Sequence, residues 1–554
     1  SRWRGTAVKA SDLIAKVLQL EGVEDIACFP HSEIIDSAAA VGIRPVLART
    51  ERTALHIADG YSRINDGRKI GVATVQYGPG SENAFGGVAQ CYADNSPVLY
   101  LPTGFPLDQL DVSPNFVASR NLRGITKWGE TVVDPGRLPQ MLQHAFTELR
   151  SGRPGPVMIE TPIDLLNGDC IDDAALAAYR PARRSAPQPD PQDVREVVDA
   201  LLGAQRPVIV AGQGIFYAQA WDELRALAEL LQIPVMTTLN GKSAFREDHP
   251  LALGAGGASR PATVDHFLAK ADLVFGIGTS FTRSDYITPI PAGKAIAQIT
   301  NSEADIAKDY PVWFGAIGDA KAALRTMIGE ATERLGAGGR RGDEETAKEI
   351  RAVKQNFLES WMPLLTSDEE PINPYRVVWD LMHAVDRAKT IVTHDAGSPR
   401  DEMVPFYEAI VPHGYVGWGK TTQLGLGMGL MLGAKLARPD RLCVNVMGDA
   451  AFGMIGTEIE TAVRCGLPIL TIVLKNSVMG GYTGYLPIAS EKHDIHVLTG
   501  DYAGVASALG GYAEQVEKAA DLKPALARCI AETEAGRPAL LQVITKEESR
   551  FAKG

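Results

Sequence analysis

Two oxygen-bearing side chains, Asp449 and Asn476, stand at comparable places in the last third of the chain. The apolar run Leu442–Met447 ends in Gly448-Asp449-Ala450-Ala451-Phe452. The apolar run Ile469–Leu474 ends in Lys475-Asn476, with a helical pattern between the two. The spacing predicts two parallel strands with Asp449 and Asn476 at their C-terminal ends, the edge where open α/β sheets place ligands. A carboxylate and an amide oxygen are hard ligands that suit Mg²⁺ or Ca²⁺. Small residues at Gly448, Ala450 and Ala451 let backbone N–H groups of the next helix approach a phosphate. The chemistry implied is a divalent ion bridging the protein to a diphosphate. Gly-Asp-Ala alone is an ordinary strand-end turn, so the pairing of two strand ends carries this reading.

The elements that must position these residues recur along the chain. Apolar runs such as Pro207–Ala211, Leu273–Ile277 and Thr390–Thr393 alternate with longer amphipathic stretches. That alternation predicts parallel sheets covered by helices on both faces. Pro181–Pro191 (PARRSAPQPDP) is proline-rich and reads as a linker. Gly336–Glu345 (GAGGRRGDEE) is a second seam, followed by a charged helical pattern to about Asp368. Three α/β blocks are therefore expected, at 1–180, 190–335 and 370–554.

The chain has 554 residues, 45% hydrophobic and 22% charged, which excludes wholesale disorder. With 55 basic against 67 acidic residues, the formal charge of −12 argues against general nucleic-acid or anionic-membrane binding. No apolar stretch reaches the ~18 residues of a membrane span. The opening Ser1-Arg2-Trp3-Arg4 leads into no signal-peptide core. The six cysteines (Cys28, Cys91, Cys170, Cys443, Cys465, Cys529) form no C-x-x-C pair and read as reduced thiols of a cytoplasmic protein.

Gly448-Asp449-Ala450, then Lys475-Asn476 after 24 intervening residues (451–474), resembles the thiamine diphosphate signature Gly-Asp-Gly…Asn-Asn. Ala450 and Lys475 depart from it without removing a metal ligand. The resemblance implies Mg²⁺ on Asp449, Asn476 and the carbonyl of Val478, with Met479 and Gly480 beside the cofactor. Arg49-Thr50-Glu51-Arg52-Thr53-Ala54 and Ala58-Asp59-Gly60-Tyr61-Ser62-Arg63 resemble a segment of acetohydroxyacid-synthase-like enzymes. There the glutamate, here Glu51, binds N1′ of the aminopyrimidine. Gln76-Tyr77-Gly78-Pro79-Gly80-Ser81-Glu82-Asn83 is similar to the family's Gly-Pro-Gly-Ala-Thr-Asn loop, and Pro30 matches a proline of its first active-site loop. His31, Ser32, Gln76 and Tyr482 are the further candidates for moving protons or steadying an alkoxide. Asp395-Ala396-Gly397-Ser398, after His394, is expected to line the diphosphate. Leu424 falls where an apolar residue supports the bend of the cofactor, and the Thr422 carbonyl where its 4′-amino group binds. The family implies a pyrimidine-binding domain, a central Rossmann-like domain and a diphosphate-binding domain, assembled as a homodimer or homotetramer.

In the middle block, Gly212-Gln213-Gly214 follows a strand, but Tyr217 occupies the place of a dinucleotide fingerprint's third glycine. In the family this domain holds FAD, ADP or nothing. Acetohydroxyacid synthases carry Arg-Phe-Asp-Asp-Arg where this chain has Ser280-Phe281-Thr282-Arg283-Ser284, and their substrate-selecting tryptophan is Tyr485 here. These departures speak against FAD and leave ADP or nothing for that site. Family relatives without those residues include oxalyl-CoA decarboxylase and 2-hydroxyacyl-CoA lyase, so the resemblance points first to a 2-hydroxyacyl-CoA lyase that releases formyl-CoA and an aldehyde or ketone. In that reading the charged tail from Lys546 closes over a CoA thioester. The alternative is an acetolactate-synthase-like carboligase or 2-oxo acid decarboxylase.

Overall fold

The computed structural model describes residues 7–340 and 344–553. The Ser1–Arg4 opening, the middle of the second seam and the side chain of Cys170 lie outside the described residues. The chain packs as two compact units. One is the chain up to Ser185 with Met428–Asp440 and Thr457–Pro468; the other is Ala186–Gly427 with Arg441–Gly456 and everything from Ile469 onward.

Among the described residues there are three six-stranded sheets and one two-stranded ribbon. Within each six-stranded sheet every neighbouring pair is parallel. The first sheet runs, edge to edge, Arg44–Leu47, Asp25–Phe29, Gly71–Val75, Val98–Gly104, Val157–Pro162 and Trp128–Thr131. The third runs Tyr415–Val416, Thr390–His394, Leu442–Gly448, Leu470–Lys475, Ala539–Ile544 and Tyr512–Val516. Numbered by sequence, both have the order 2-1-3-4-6-5. The central sheet has the order 3-2-1-4-5-6, from Ala252–Ala255 at one edge to Phe314–Ile317 at the other.

The strands are buried on both faces because helices cover both, so Gly71–Val75, Val98–Gly104, Pro207–Ala211 and Leu273–Ile277 have no exposed position. Helices start where a side chain meets the first free amides. Asp190 accepts from Gln192 N (2.7 Å), Asp319 from Lys321 N and Ala322 N (3.0 and 3.1 Å), and Asn373 from Tyr375 N (3.0 Å). Residues 180–190 carry no helix or strand, and the charged pattern after the second seam is the helix Glu345–Leu365.

The third block does not pack as one separate body. The helix Leu426–Ala437 passes into the first unit, where its glycines meet the helix Glu51–Ile64 at backbone distance. A Cβ on Gly60 would lie 2.2 Å from the Leu430 carbonyl oxygen, and one on Gly433 2.1 Å from that of Ile57. No side chain fits at Gly60 or Gly433, where backbone meets backbone.

The tail is packed within the second unit, neither frayed nor standing open over a ligand. Tyr375 Oη donates to the Arg550 carbonyl (2.7 Å), the Arg550 guanidinium lies 4.2 Å over the Trp361 ring, and Arg260 N donates to the Ala552 carbonyl (2.8 Å). Among the described residues no helix is long and apolar enough to cross a membrane. Cys28, Cys91, Cys443, Cys465 and Cys529 are free thiols.

Candidate active site

Sheet topology selects the loops. In the order 2-1-3-4-6-5 the connections leave in opposite directions from strands 1 and 3, and the crevice between their C-terminal ends is the expected ligand site. In the third sheet those ends carry Asp395–Ser398 and Gly448–Ala451. In the first they carry Pro30–Ser32 and Gln76–Gly80. Most of the residues singled out above therefore fall at two switch points.

In the second unit, Asp449 opens the helix Asp449–Ile455 and is 3% exposed. Its Oδ2 accepts from Asn476 N (3.0 Å) and Ser477 N (3.2 Å), which ties the two strand ends together. Its Oδ1 is buried and makes no hydrogen bond of its own, and burial raises the carboxyl pKa above the usual aspartate value against the pull of the Tyr502 hydroxyl and the two amides. Asn476 turns back on itself, its Oδ1 accepting from Val478 N (3.1 Å), with Ser477 in the left-handed region at φ 61°. Val478 faces Val497, yet the bonds beside it use the Ser477 carbonyl and the Met479 amide and leave the Val478 carbonyl aside. An unpartnered buried carboxylate oxygen, an amide oxygen and a carbonyl suit a hard divalent cation such as Mg²⁺. Among the described residues no cluster of three His, Cys, Asp or Glu side chains could hold a metal, so a cation here depends on this mixed oxygen set.

The neighbouring loops close on the same point. A Cβ on Gly480 would sit 3.4 Å from Ser398 Oγ, and one on Gly448 3.8 Å from the Pro399 ring. Gly397 has φ +83° with open space on its Cβ side, and Ala450 and Ser398 are half-buried. Asp395 needs a correction, because its carboxylate is spent on the protein. Oδ1 accepts from Ala396 N (2.8 Å) and Gly425 N (2.9 Å), and Oδ2 from Gly427 N (3.0 Å). It holds the loop and the segment of Thr422 and Leu424, both half-buried. His394 is a core residue, fully buried and stacked on Trp418 with centroids 5.0 Å apart. Tyr482 opens the short helix Tyr482–Tyr485 and is half-buried, while Tyr485 is 84% exposed.

In the first unit, Glu51 is the first residue of its helix, with Thr50 Oγ1 capping Thr53 N at 3.2 Å. Glu51 is 5% exposed. Burial raises its pKa above the usual glutamate value, while its own backbone amide and the Asn83 side chain pull the other way. The signature that follows Glu51 is scaffolding. Arg63 bridges Asp59 (2.6 Å) and Asp94 (3.2 Å), all buried, locking this helix to Pro79–Ala93. Ser32 also needs a correction. It is 4% exposed, its Oγ accepts from Ile34 N (3.4 Å), and it lies 3.1 and 3.2 Å from Thr74 Oγ1 and Thr103 Oγ1. Those contacts cap a helix and fill a buried hydroxyl cluster, so Ser32 shapes the loop. Pro30 and His31 are exposed and Gln76 is half-buried.

Glu458 was missed. It is fully buried, its carboxylate oxygens both lie 3.1 Å from Arg49 N, and it also accepts from Thr50 Oγ1 (3.4 Å) and Thr461 Oγ1 (2.7 Å). In sequence it is one glutamate in a helical pattern, and only the fold shows what it holds.

The central sheet's switch point joins Gly212–Gly214 to Gly278. A Cβ on Gly212 would meet the Gly278 carbonyl oxygen at 2.3 Å, and one on Gly214 the Gly278 Cα at 2.7 Å. Close contact between the two loops therefore accounts for these glycines.

Comparison with known proteins agrees with this geometry. Residues 8–122 match the N-terminal TPP-binding domain of thiamine pyrophosphate enzymes, 194–327 their central domain, and 395–543 their C-terminal TPP-binding domain. A probable acetolactate synthase large subunit of Methanocaldococcus jannaschii is 29% identical, over 97% of this chain and 92% of its own length. Glyoxylate carboligase of Escherichia coli O157:H7 is 27% identical, over 99% and 95%. Acetolactate synthase isozyme 3 large subunit of Escherichia coli K12 is 25% identical, over 97% and 94%.

Proposed function

Because the chain belongs to the thiamine pyrophosphate enzymes, we propose that it is a thiamine-diphosphate- and Mg²⁺-dependent carboligase. One 2-oxo acid would lose CO₂, and its acyl carbon would form a new C–C bond to the carbonyl of a second 2-oxo acid. The observation that carries the reading is the Asp449–Asn476–Val478 oxygen set at the switch point. The similarity to an acetolactate synthase and a glyoxylate carboligase supports ligation over the acyl-CoA lyase expected first.

Asp449, Asn476 and the Val478 carbonyl would hold the metal, and the amides of Gly448–Ala451 would face the diphosphate. When bound, the cofactor supplies an electron sink for breaking and forming bonds next to a carbonyl. Glu51 would accept the hydrogen bond of the aminopyrimidine N1′, its charge favoured by the helix start and opposed by burial. The Asn83 side chain acts on the Glu51 carboxylate and favours its charged form. His31, Gln76 and Tyr482 remain the groups for proton handling on the substrate side. Glu51 belongs to one unit and the metal set to the other, and the family pattern shares each cofactor between two chains. We infer a homodimer or a larger even assembly on that basis. ADP in the central domain stays a proposal, resting on the family alone. Ser284 and Tyr485 stand where acetohydroxyacid synthases carry arginine and tryptophan, so the second substrate is expected to differ from theirs.

The test is incubation with thiamine diphosphate, Mg²⁺ and pyruvate, glyoxylate or a 2-hydroxyacyl-CoA, followed by mass spectrometry. CO₂ release with a ligated hydroxy-oxo acid supports the proposal. Cleavage of the CoA thioester with no ligation overturns it.

A further inference from the structure

The second unit holds a half-open cavity of about 250 Å³ that touches neither the metal set nor the glycine loops of the central sheet. Two helices each give it one face. Lys354, Phe357 and Leu358 are spaced i, i+3, i+4 on Glu345–Leu365, and Trp379, Met382 and His383 have the same spacing on Pro374–Ala384. Phe406 closes a third side, stacked on Phe357 at 5.4 Å and 7°.

The floor is electrostatically complete. Lys242, 1% exposed, binds both oxygens of Glu247 (2.6 and 2.7 Å) and the Val404 carbonyl (3.2 Å), and Glu247 also accepts from Ala409 N (2.7 Å). The rim is not. Lys354 (2.7 Å) and Arg387 (2.9 Å) share the single carboxylate of Glu408, which leaves one positive charge over. Among the described residues Arg387 bonds only through Nη1, to the Glu408 carboxylate and carbonyl, so Nε and Nη2 are open. Asp248, a further carboxylate acting on Arg387, is itself forked by Arg246 at 2.9 and 2.7 Å. Deeper in, the Tyr407 hydroxyl is 1% exposed and has no hydrogen-bond partner, an expensive state for a buried polar group. The charges acting on it are those of Arg387 and Glu247, both on the cavity wall.

A volume below the ~300–1,000 Å³ of drug-sized sites calls for a small ligand. Aromatic walls call for an apolar body, and one spare guanidinium edge calls for one anionic group of carboxylate shape. We propose that this cavity binds a small monocarboxylate with an apolar body. Its carboxylate is forked by Arg387 Nε and Nη2, its hydrocarbon part lies against Leu358, Trp379 and Met382, and Tyr407 is within its reach. Inorganic phosphate would leave the apolar walls wet, and a second carboxylate would meet Glu408.

The test uses the full chain and calorimetric titration with 3-methylbutanoate, 3-methylbutanamide and inorganic phosphate. None of these is a 2-oxo acid, so the readout is independent of the reaction. Saturable binding of the carboxylate, at least about tenfold tighter than the amide and the phosphate, is expected from one charge-assisted fork. Leu358→Trp, which fills the cavity and leaves every ion pair, and Arg387→Lys, which keeps the charge but not the fork, should each weaken it at least about tenfold. Should Arg387→Lys fail to fold, Leu358→Trp decides. No saturable carboxylate binding, equal binding of the amide, tighter binding of phosphate, or wild-type affinity in folded Leu358→Trp overturns the proposal.

Discussion

Both carboxylate oxygens of Glu458 lie 3.1 Å from the backbone amide of Arg49, two residues before Glu51. Among the described residues no ion pair joins Glu458, although the Arg464 charge acts on it from a distance. A backbone amide and two threonine hydroxyls do the work instead, and they set where the helix of Glu51 begins. The expected catalytic carboxylate is thus aimed by a second buried carboxylate far away in sequence.

Glu458→Ala should strand those donors and cost about 1–3 kcal/mol, the usual range for a buried group that loses its partner. Urea unfolding measures the cost. Hydrogen–deuterium exchange at C2 of bound thiamine diphosphate should slow as well, because Glu51 loses its alignment. Unchanged stability with unchanged exchange would remove the positioning role.

Asp449→Ala should weaken Mg²⁺-dependent binding of thiamine diphosphate by more than the ~10–100-fold typical of losing an outer-shell partner. Calorimetry on the metal-loaded protein reads this directly. Wild-type affinity would break the assignment of the oxygen set.

Glu51→Gln keeps the shape and the bond to Asn83 but not the charge. It should still bind thiamine diphosphate while slowing C2 exchange about 10²–10⁴-fold, the range of a lost acid–base group. Exchange at the wild-type rate would take Glu51 out of the mechanism. Since burial raises the Glu51 pKa, the acidic limb of activity should lie above the ordinary glutamate value.

Glu402 ties stability to pH. It is fully buried, and burial with the nearby charges of Asp401 and Glu548 pushes its pKa from 4.5 up to about 8. A folded-state pKa above the unfolded one means the native chain binds the proton more tightly. That stability is complete below about 4.5 and is lost as pH rises through about 8. Glu402→Gln should flatten the fall, worth up to a few kcal/mol, between pH 5 and 8. The melting temperature against pH checks this, and a wild-type slope in the variant would show that another group controls it.

The purified protein should show no flavin absorption. The glycines of the central switch point are consumed by contact between Gly212–Gly214 and Gly278, and the Arg-Phe-Asp-Asp-Arg segment is absent. A flavin band that survives dialysis would contradict this.

Strand-length apolar runs and their punctuation were legible in the sequence because burial on both faces leaves no room for polar residues. Leu273–Ile277 and Pro207–Ala211 came out with the expected bounds. The strand-end places of Asp449 and Asn476 were legible because each is a local feature, set by the residues that follow an apolar run. The roles of Ser32, Asp395 and Glu458 were not. All three are polar residues whose partners are backbone amides or hydroxyls on other segments, and no local pattern tells a polar group aimed at a ligand from one that ties two loops together. The extra helices of the first unit were hidden for a similar reason. Gly60 and Gly433 look like weak points of their helices until the two backbones are seen to touch. Sequence alone determined several of the strands, their order along the chain and the strand ends that carry Asp449 and Asn476. Only the tertiary structure decided which polar groups remain open to a cofactor, because that depends on how many of their bonds the protein has already used.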